Sequence, residues 1–287
     1  MIIANTIDDV RKKVREWKTS GFTVGLVPTM GALHEGHASL ISAAVGGCDR
    51  VVASVFVNPT QFSAGEDLDS YPRDFERDCR ILEKKGCDMV FHPSVEEMYP
   101  EGFGTYINLE TEMTKQLCGK SRPGHFRGVC TVVSKLFNIV GPDRAYFGEK
   151  DAQQLAVIRR MVLDLNMDVE IVGCPIVREA DGLAKSSRNT YLSPEERKAA
   201  LVLSRSIFAG KKLAESGETD AAKLVQAMTE IIEAEPLAKI DYVKVVDLMT
   251  MQQIPKLDRP FLAAMAVYIG KTRLIDNFMM QAGGAAE

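Results

Sequence analysis

Short apolar runs alternate along the first two-thirds of the chain with longer stretches in which apolar residues recur every three or four positions. Residues 22–27, 50–57, 88–92, 143–147 and 168–177 read as buried strands, because each is a brief β-rich run bounded by turn residues. Between them lie helical patterns. Thr6 and Asp9 resemble a capping box ahead of a stripe of Ile7, Val10, Val14 and Trp17. Residues 72–85 place Phe75, Cys79 and Leu82 inward, 125–140 run from a Pro-Gly turn to Gly141-Pro142, and 152–165 form a further helix. Five strands alternating with helices predict a parallel, doubly wound α/β sheet. Residues 102–110 suggest an edge strand or an excursion.

The pattern changes after residue 177. The stretch 178–197 is polar and turn-rich, and Ser193, Pro194 and Glu196 supply the N-cap, N1 and N3 of a helix start. Helices are predicted over 194–216 and 220–234, then β-rich runs at 240–247, 261–269 and 273–278. Helices followed by strands predict a separate, smaller α+β domain, giving domains 1–177 and 178–287. The tail, 281–287, is expected to fray.

Candidate chemistry concentrates where the strand at 22–27 ends. Pro28, Gly31 and Gly36 punctuate a turn, and Leu33, Leu40 and Ile41 then follow helical spacing. His34 and His37, three apart, are thereby expected on one face of the first helical turn. Open α/β sheets bind ligands at this end, and unpaired helix N–H groups there attract phosphate. The positive end of a helix disfavours a charged imidazole, so an anionic ligand gives the pair a purpose. Imidazole N–H groups aimed at a triphosphate would stabilise a leaving pyrophosphate. Two other readings fit the spacing: a surface helix that carries two histidines, or a zinc pair. Zinc is disfavoured, since HEGH lacks the i, i+4 spacing of H-E-x-x-H and neither His92 nor His125 sits in a metal-like cluster.

The same geometry recurs at Gly148-Glu149-Lys150-Asp151, where a lysine at a strand's carboxyl end is either placed to neutralise phosphate or solvated, as on an ordinary turn. Gly148 would let backbone approach a ligand, and Gln154 would face the same cleft. In the long loop 58–74, Asn58 and Gln61 are placed either to meet a ligand or to satisfy loop backbone. Lys185-Ser186-Ser187-Arg188 sets two cations around two hydroxyls, either a second phosphate candidate on a loop or, as such a tetrapeptide more often is, a solvated loop. His125, Arg127 and Lys135 read as a solvated face; alternatively Lys120, Arg122 and Arg127 line an anion or subunit contact. Gly270-Lys271-Thr272 fails as a P-loop end, because position 265 is Met265 rather than glycine, and reads as a turn between strands.

Composition narrows the classes. The chain has 287 residues, 46% hydrophobic and 26% charged, which suits two ordinary globular domains. A net charge of −4 gives no global basic field for nucleic acid or an anionic membrane. Early acids in MIIANTIDDVRKK argue against a signal peptide, and no run approaches a spanning helix. Six cysteines without a C-x-x-C pair read as reduced packing residues, so a cytoplasmic protein is expected.

The motifs PTMGALHEGH, VNPTQF, GHFRGV, FGEKD, SSRN and GKTRLIDN occur in one order over nearly the whole chain. Together they resemble the pantoate–β-alanine ligase (pantothenate synthetase) family, within the nucleotidyltransferases that carry a HIGH-type motif. The resemblance implies a Rossmann-like first domain, a second domain that closes over ATP, and a homodimer formed through the first. It implies that pantoate attacks the α-phosphorus of Mg²⁺-bound ATP, and that β-alanine then displaces AMP from pantoyl adenylate to give pantothenate. Pro28, Thr29, Met30, Gly31, Ala32, Leu33, His34, Glu35, Gly36 and His37 would bind ATP. Gly148, Glu149, Lys150, Asp151, Val177, Lys185, Ser186, Ser187 and Arg188 would complete that site. His34, His37, Lys150, Ser187 and Arg188 would be catalytic, with His37 as donor to the leaving group. Gln61, Gln154 and Asn58 would hold pantoate, and Gln61 also β-alanine. Lys185 departs from the methionine or leucine common in the family. The rival classes are a nucleotidyltransferase that stops at nucleotide transfer and a nucleotide-binding regulator.

Overall fold

The computed structural model describes residues 1–63 and 65–281, so residues 282–287 of the tail expected to fray lie outside the described residues. In chain order the elements are β1 (Ile2–Ala4), α1 (Ile7–Thr19), β2 (Val24–Thr29), α2 (Glu35–Gly47), β3 (Arg50–Val55), α3 (Phe75–Lys84), β4 (Met89–Phe91), α4 (Val95–Met98), α5 (Leu117–Ser121) and α6 (His125–Val140). They continue with β5 (Arg144–Gly148), α7 (Ala152–Asp164), β6 (Glu170–Cys174), α8 (Pro194–Ala199), α9 (Leu201–Glu215), α10 (Ala221–Glu233), β7 (Ala238–Asp247), β8 (Phe261–Ile269) and β9 (Thr272–Met280). Two compact units form. The first comprises Met1–Leu109, Arg122–Glu149 and Val157–Pro175; the second comprises Glu110–Ser121, Lys150–Ala156 and Ile176–Glu287. Residues 110–121, 150–156 and 176–177, assigned from sequence to the first domain, therefore cluster with the second.

In the first unit the parallel sheet has the order β1-β4-β3-β2-β5-β6. Val51, Ala53 and Val55 of β3 join Leu40, Ile41 and Ala44 of α2 and Leu82 of α3 in one core cluster. Their alternates Val52 and Ser54 are buried on the opposite face, and α1 and α6 contact each other and β2. The chain leaves β2 toward β3 on one side and reaches β5 on the other, so the strand order reverses between β2 and β5. The carboxyl ends of those two strands open on the crevice where such sheets take ligands. Helix α6 spans the predicted residues because Gly124 and Gly141, both left-handed, bracket it. Strand β1 escaped the sequence reading. It has three residues, and Ile2 and Ile3 are exposed, so it carries no buried run. Residues 103–110 form no strand; they are an excursion held by Ile107, whose N–H donates to Thr131 Oγ1 at 3.0 Å.

In the second unit β7, β8 and β9 form an antiparallel meander, with Gly270 (φ 56°) in the tight turn expected there. The helix predicted over 194–216 starts at the Ser193 capping box but divides into α8 and α9. Ala200 keeps helical dihedrals, and the Leu203 N–H reaches back three residues to its carbonyl, so the division is one tightened turn.

Candidate functional site

At the end of β2 the backbone turns through two left-handed residues, Gly31 (φ 82°) and Ala32 (φ 51°). Asp78 of α3 fixes this turn, accepting the Ala32 N–H at 3.0 Å and the Leu33 N–H at 2.7 Å. A Cβ on Gly31 would stand 2.9 Å from that carboxylate, so the turn requires glycine. The Gly31 N–H donates to Thr29 Oγ1, whose hydroxyl donates to the Ser54 carbonyl at 2.6 Å. Leu33 is buried in the core.

His34 is not within α2 but caps it: its Nδ1 accepts the Gly36 N–H at 3.1 Å. His37, at N3, answers by accepting the His34 N–H on its own Nδ1 at 3.3 Å. An imidazole nitrogen that accepts an N–H carries no proton, which leaves Nε2 as the nitrogen of each ring that can donate. The half-buried rings lie side by side, with centroids 4.2 Å apart and planes tilted by 38°. The two rings lie on one side of the first helical turn, as their spacing predicts, but the expectation of unpaired amides there is corrected: those of Gly31 through His34 and of Gly36 all donate within the protein. The turn thus brings two imidazoles together at the start of α2. Glu35 is exposed beside them, and Pro28 is half-buried in β2.

Burial pushes the Asp78 carboxyl above its ordinary range, against the pull of the Leu33 and Ala32 amides. The folded chain thus holds that proton more tightly than the unfolded one. The site's contribution to stability is greatest below the usual carboxylate range and falls as pH rises through the raised value. Asp78→Asn should remove this pH dependence. It should also cost about 1–3 kcal/mol in urea unfolding at pH 7, because an amide NH₂ would face one of the two backbone donors.

Gln61 is buried and anchored at both ends. Its Oε1 accepts from Asn58 Nδ2 at 3.0 Å, and its Nε2 approaches Met30 Sδ at 3.0 Å. Asn58 is fully engaged within the protein: Nδ2 also donates to the Gly128 carbonyl, and Oδ1 accepts from Thr60 and from the Tyr99 hydroxyl at 2.7 Å. The Gln61 carbonyl accepts from His125 Nδ1 at 2.8 Å. His125 Nε2 then accepts from Arg122 Nη1 at 3.0 Å, and Glu66 grips the same guanidinium through Nε at 2.5 Å and Nη2 at 2.7 Å. Burial would raise the Glu66 carboxyl, but Arg122 holds it below its ordinary range.

The solvated face expected of α6 is therefore not present as such. His125 is 8% exposed because it faces the Gln61 loop. Lys135 is half-buried with its ammonium 5.1 Å from the Phe103 ring centre, and exposed Arg127 lies over Tyr106 at 3.9 Å.

The other cations belong to the second unit. Lys150 sits in the 3-10 turn Glu149–Asp151 ahead of α7, its ammonium 3.6 Å from Asp151. Nothing lies within 4 Å of where a Cβ on Gly148 would project. Gln154 is half-buried one turn on, whereas its neighbour Gln153 is buried and bonded to Cys118 N and to the Met113 and Gln116 carbonyls. Ser186 caps the 3-10 turn Ser187–Tyr191 by accepting the Arg188 N–H, and the Lys185 N–H donates to the Val177 carbonyl at 2.9 Å. Ser187 and Arg188 are half-buried. Among the described residues no three His, Cys, Asp or Glu side chains gather as a metal cage.

Asp78 was missed by the sequence reading, although it falls on the inward stripe of α3 with Phe75 and Leu82. Its spacing was the available signal.

Residues 2–279 match the family model for pantoate-beta-alanine ligase. The chain is 62% identical over 274 residues to pantothenate synthetase of Ruminiclostridium cellulolyticum, covering 96% of this chain and 97% of the relative. It is 58% identical to the Enterococcus faecalis enzyme of the same name over 98% of this chain and 99% of the relative. The fold is similar to the crystal structure of pantothenate synthetase from Thermus thermophilus, with TM-score 0.92 and 48% identity over 97% of this chain and 99% of that one. It is also similar to pantoate-beta-alanine ligase from Francisella tularensis complexed with β,γ-ATP and β-alanine, with TM-score 0.80 and 36% identity over 99% and 100% of the two chains.

Proposed function

The chain belongs to the pantoate–β-alanine ligase family and is an ATP-dependent ligase that condenses pantoate with β-alanine; we propose that it does so through pantoyl adenylate. In the first step a pantoate carboxylate oxygen bonds to the α-phosphorus of ATP, and the bond from that phosphorus to pyrophosphate breaks. In the second, the β-alanine nitrogen bonds to the acyl carbon, the acyl–oxygen bond breaks, AMP leaves and the amine gives a proton to solvent. No protein nucleophile is needed. The chain contributes position and charge stabilisation.

The observation that carries this reading is the pair of imidazoles at the sheet's switch point, both with Nδ1 committed to backbone, which leaves Nε2 as the donor. Such donors stabilise charge that builds on a leaving pyrophosphate, with His37 as the principal one and His34 beside it. Lys150, Ser187 and Arg188 act on the same polyphosphate. The turn from Pro28 to His37, Gly148 to Asp151, Val177 and Lys185 to Ser186 hold the nucleotide. Gln61 and Gln154 hold pantoate, Gln61 also receives β-alanine, and Asn58 acts by orienting Gln61. Magnesium is expected to arrive with ATP, where it would neutralise charge on the phosphates. A homodimer through the first unit and a cytoplasmic location complete the reading, the latter suited by six free cysteines.

The test offers ATP, pantoate and β-alanine together. AMP, pyrophosphate and an amide in equal amounts are expected, with ATP–pyrophosphate exchange on pantoate alone. Exchange that requires β-alanine would remove the adenylate from the account.

A further inference from the structure

Asp276 and Asn277, neighbours on β9, are 1% and 4% exposed, and the chemistry above gives them no task. Alternation along the strand puts Leu274, Asp276, Phe278 and Met280 on one face. Leu274, Phe278 and Met280 belong to the apolar core against α9 and α10, so a carboxylate interrupts a hydrophobic stripe. Its partner is Arg178, held through Nη1 at 2.7 Å and Nη2 at 2.9 Å. The same Nη1 donates to the Gly182 carbonyl at 3.1 Å. Arg178 and Gly182 lie in a small hairpin closed by the bridge between Arg178 and Ala184, and Lys185 to Arg188 follow directly. Asn277 points to the opposite face, where its Nδ2 donates to the Lys150 carbonyl at 2.8 Å.

A buried ion pair is a poor source of stability, since apolar residues of similar volume often replace one at no loss. Geometry gives this one a different purpose. We propose that Asp276 and Asn277 are positioning residues, one dipeptide that uses both faces of β9 to hold Lys150 and the Lys185–Arg188 loop at a single spacing. The inference rests on the reading that these cations act on the phosphates of ATP.

The test compares Arg178→Met/Asp276→Leu and Asn277→Leu with the parent chain. In the double variant the unfolding midpoint is expected to hold or rise. Pantoate-dependent ATP–pyrophosphate exchange should fall about 10-fold or more in each variant, since small misplacements are costly to rate. The KM for ATP should rise while the KM for β-alanine, which depends on Gln61, stays within about twofold. Should the double variant fail to fold, Asn277→Leu alone decides by the same measurements. Folded variants with normal exchange and normal KM for ATP would overturn the inference. Lys150→Ala and Arg188→Ala separate the two levels. Loss of exchange in these, with normal exchange in the β9 variants, overturns only the positioning role; normal exchange in Lys150→Ala and Arg188→Ala removes the underlying reading as well.

Discussion

Replacing His37 by alanine is expected to slow pantoate-dependent ATP–pyrophosphate exchange by roughly 10²–10³-fold, the loss typical of one preorganised donor to developing charge. The same change removes half of a reciprocal cap, because His37 Nδ1 accepts the His34 N–H. That half is worth about 1 kcal/mol, too little to unfold a domain of this size. Two further substitutions separate the roles. Glutamate at N3 accepts the N-cap amide in an ordinary capping box and suits the helix's positive end, so His37→Glu should regain the stability that alanine loses. It offers no donor and repels a polyphosphate, so its exchange should be the slowest. His37→Gln keeps an acceptor for the cap and retains amide donors, and its rate should lie above that of alanine. An activity order of Gln, Ala, Glu set against a stability order in which Ala is lowest identifies a residue with two jobs. Matching orders would reduce His37 to a cap.

Much of the frame was legible because its signals are local. Gly124 and Gly141 bracket α6, Ser193 and Glu196 start α8, and the apolar runs that became β2 and β3 are buried on both faces. What escaped is non-local. Ile2 and Ile3 are exposed yet belong to β1, since their role is to pair with β4, a strand far along the chain. His125 opens a helix after a polar turn and so read as solvated, yet its proton is committed to the Gln61 carbonyl. No spacing rule couples those positions. The histidine pair stands out by its spacing, but the capping role is not visible there: the rings satisfy helix N–H groups that the sequence alone leaves open to phosphate. Asp78 shows the converse. A carboxylate on the inward stripe of an amphipathic helix is a visible anomaly, and only the left-handed turn at Gly31 and Ala32 explains it.

Gly128 sits inside α6, where glycine weakens a helix by roughly 0.5–1 kcal/mol relative to alanine, so a substitution there ought to stabilise. The opposite is expected. A Cβ at this position would collide with the Thr60 carbonyl and come within 2.6 Å of the Gln61 Cα. The bare backbone is what lets α6 lie against the turn Pro59–Gln61, and the Gly128 carbonyl itself accepts from Asn58 Nδ2 at 3.3 Å. Gly128→Ala must push that turn outward. Overpacking of this kind costs about 1–3 kcal/mol, which outweighs the helical gain, so the unfolding midpoint should fall. The larger effect is on rate. Gln61 is held by Asn58, Met30 and His125 together, and the displaced turn pulls against all three contacts at once. A shift near 1 Å in a group that positions substrate costs on the order of 10²-fold. Steady-state kinetics should therefore show kcat/KM for pantoate falling by about that factor, with the KM for ATP little changed. Gly128→Ala with normal pantoate kinetics would mean that Gln61 does not hold that substrate, whatever its contact with Met30.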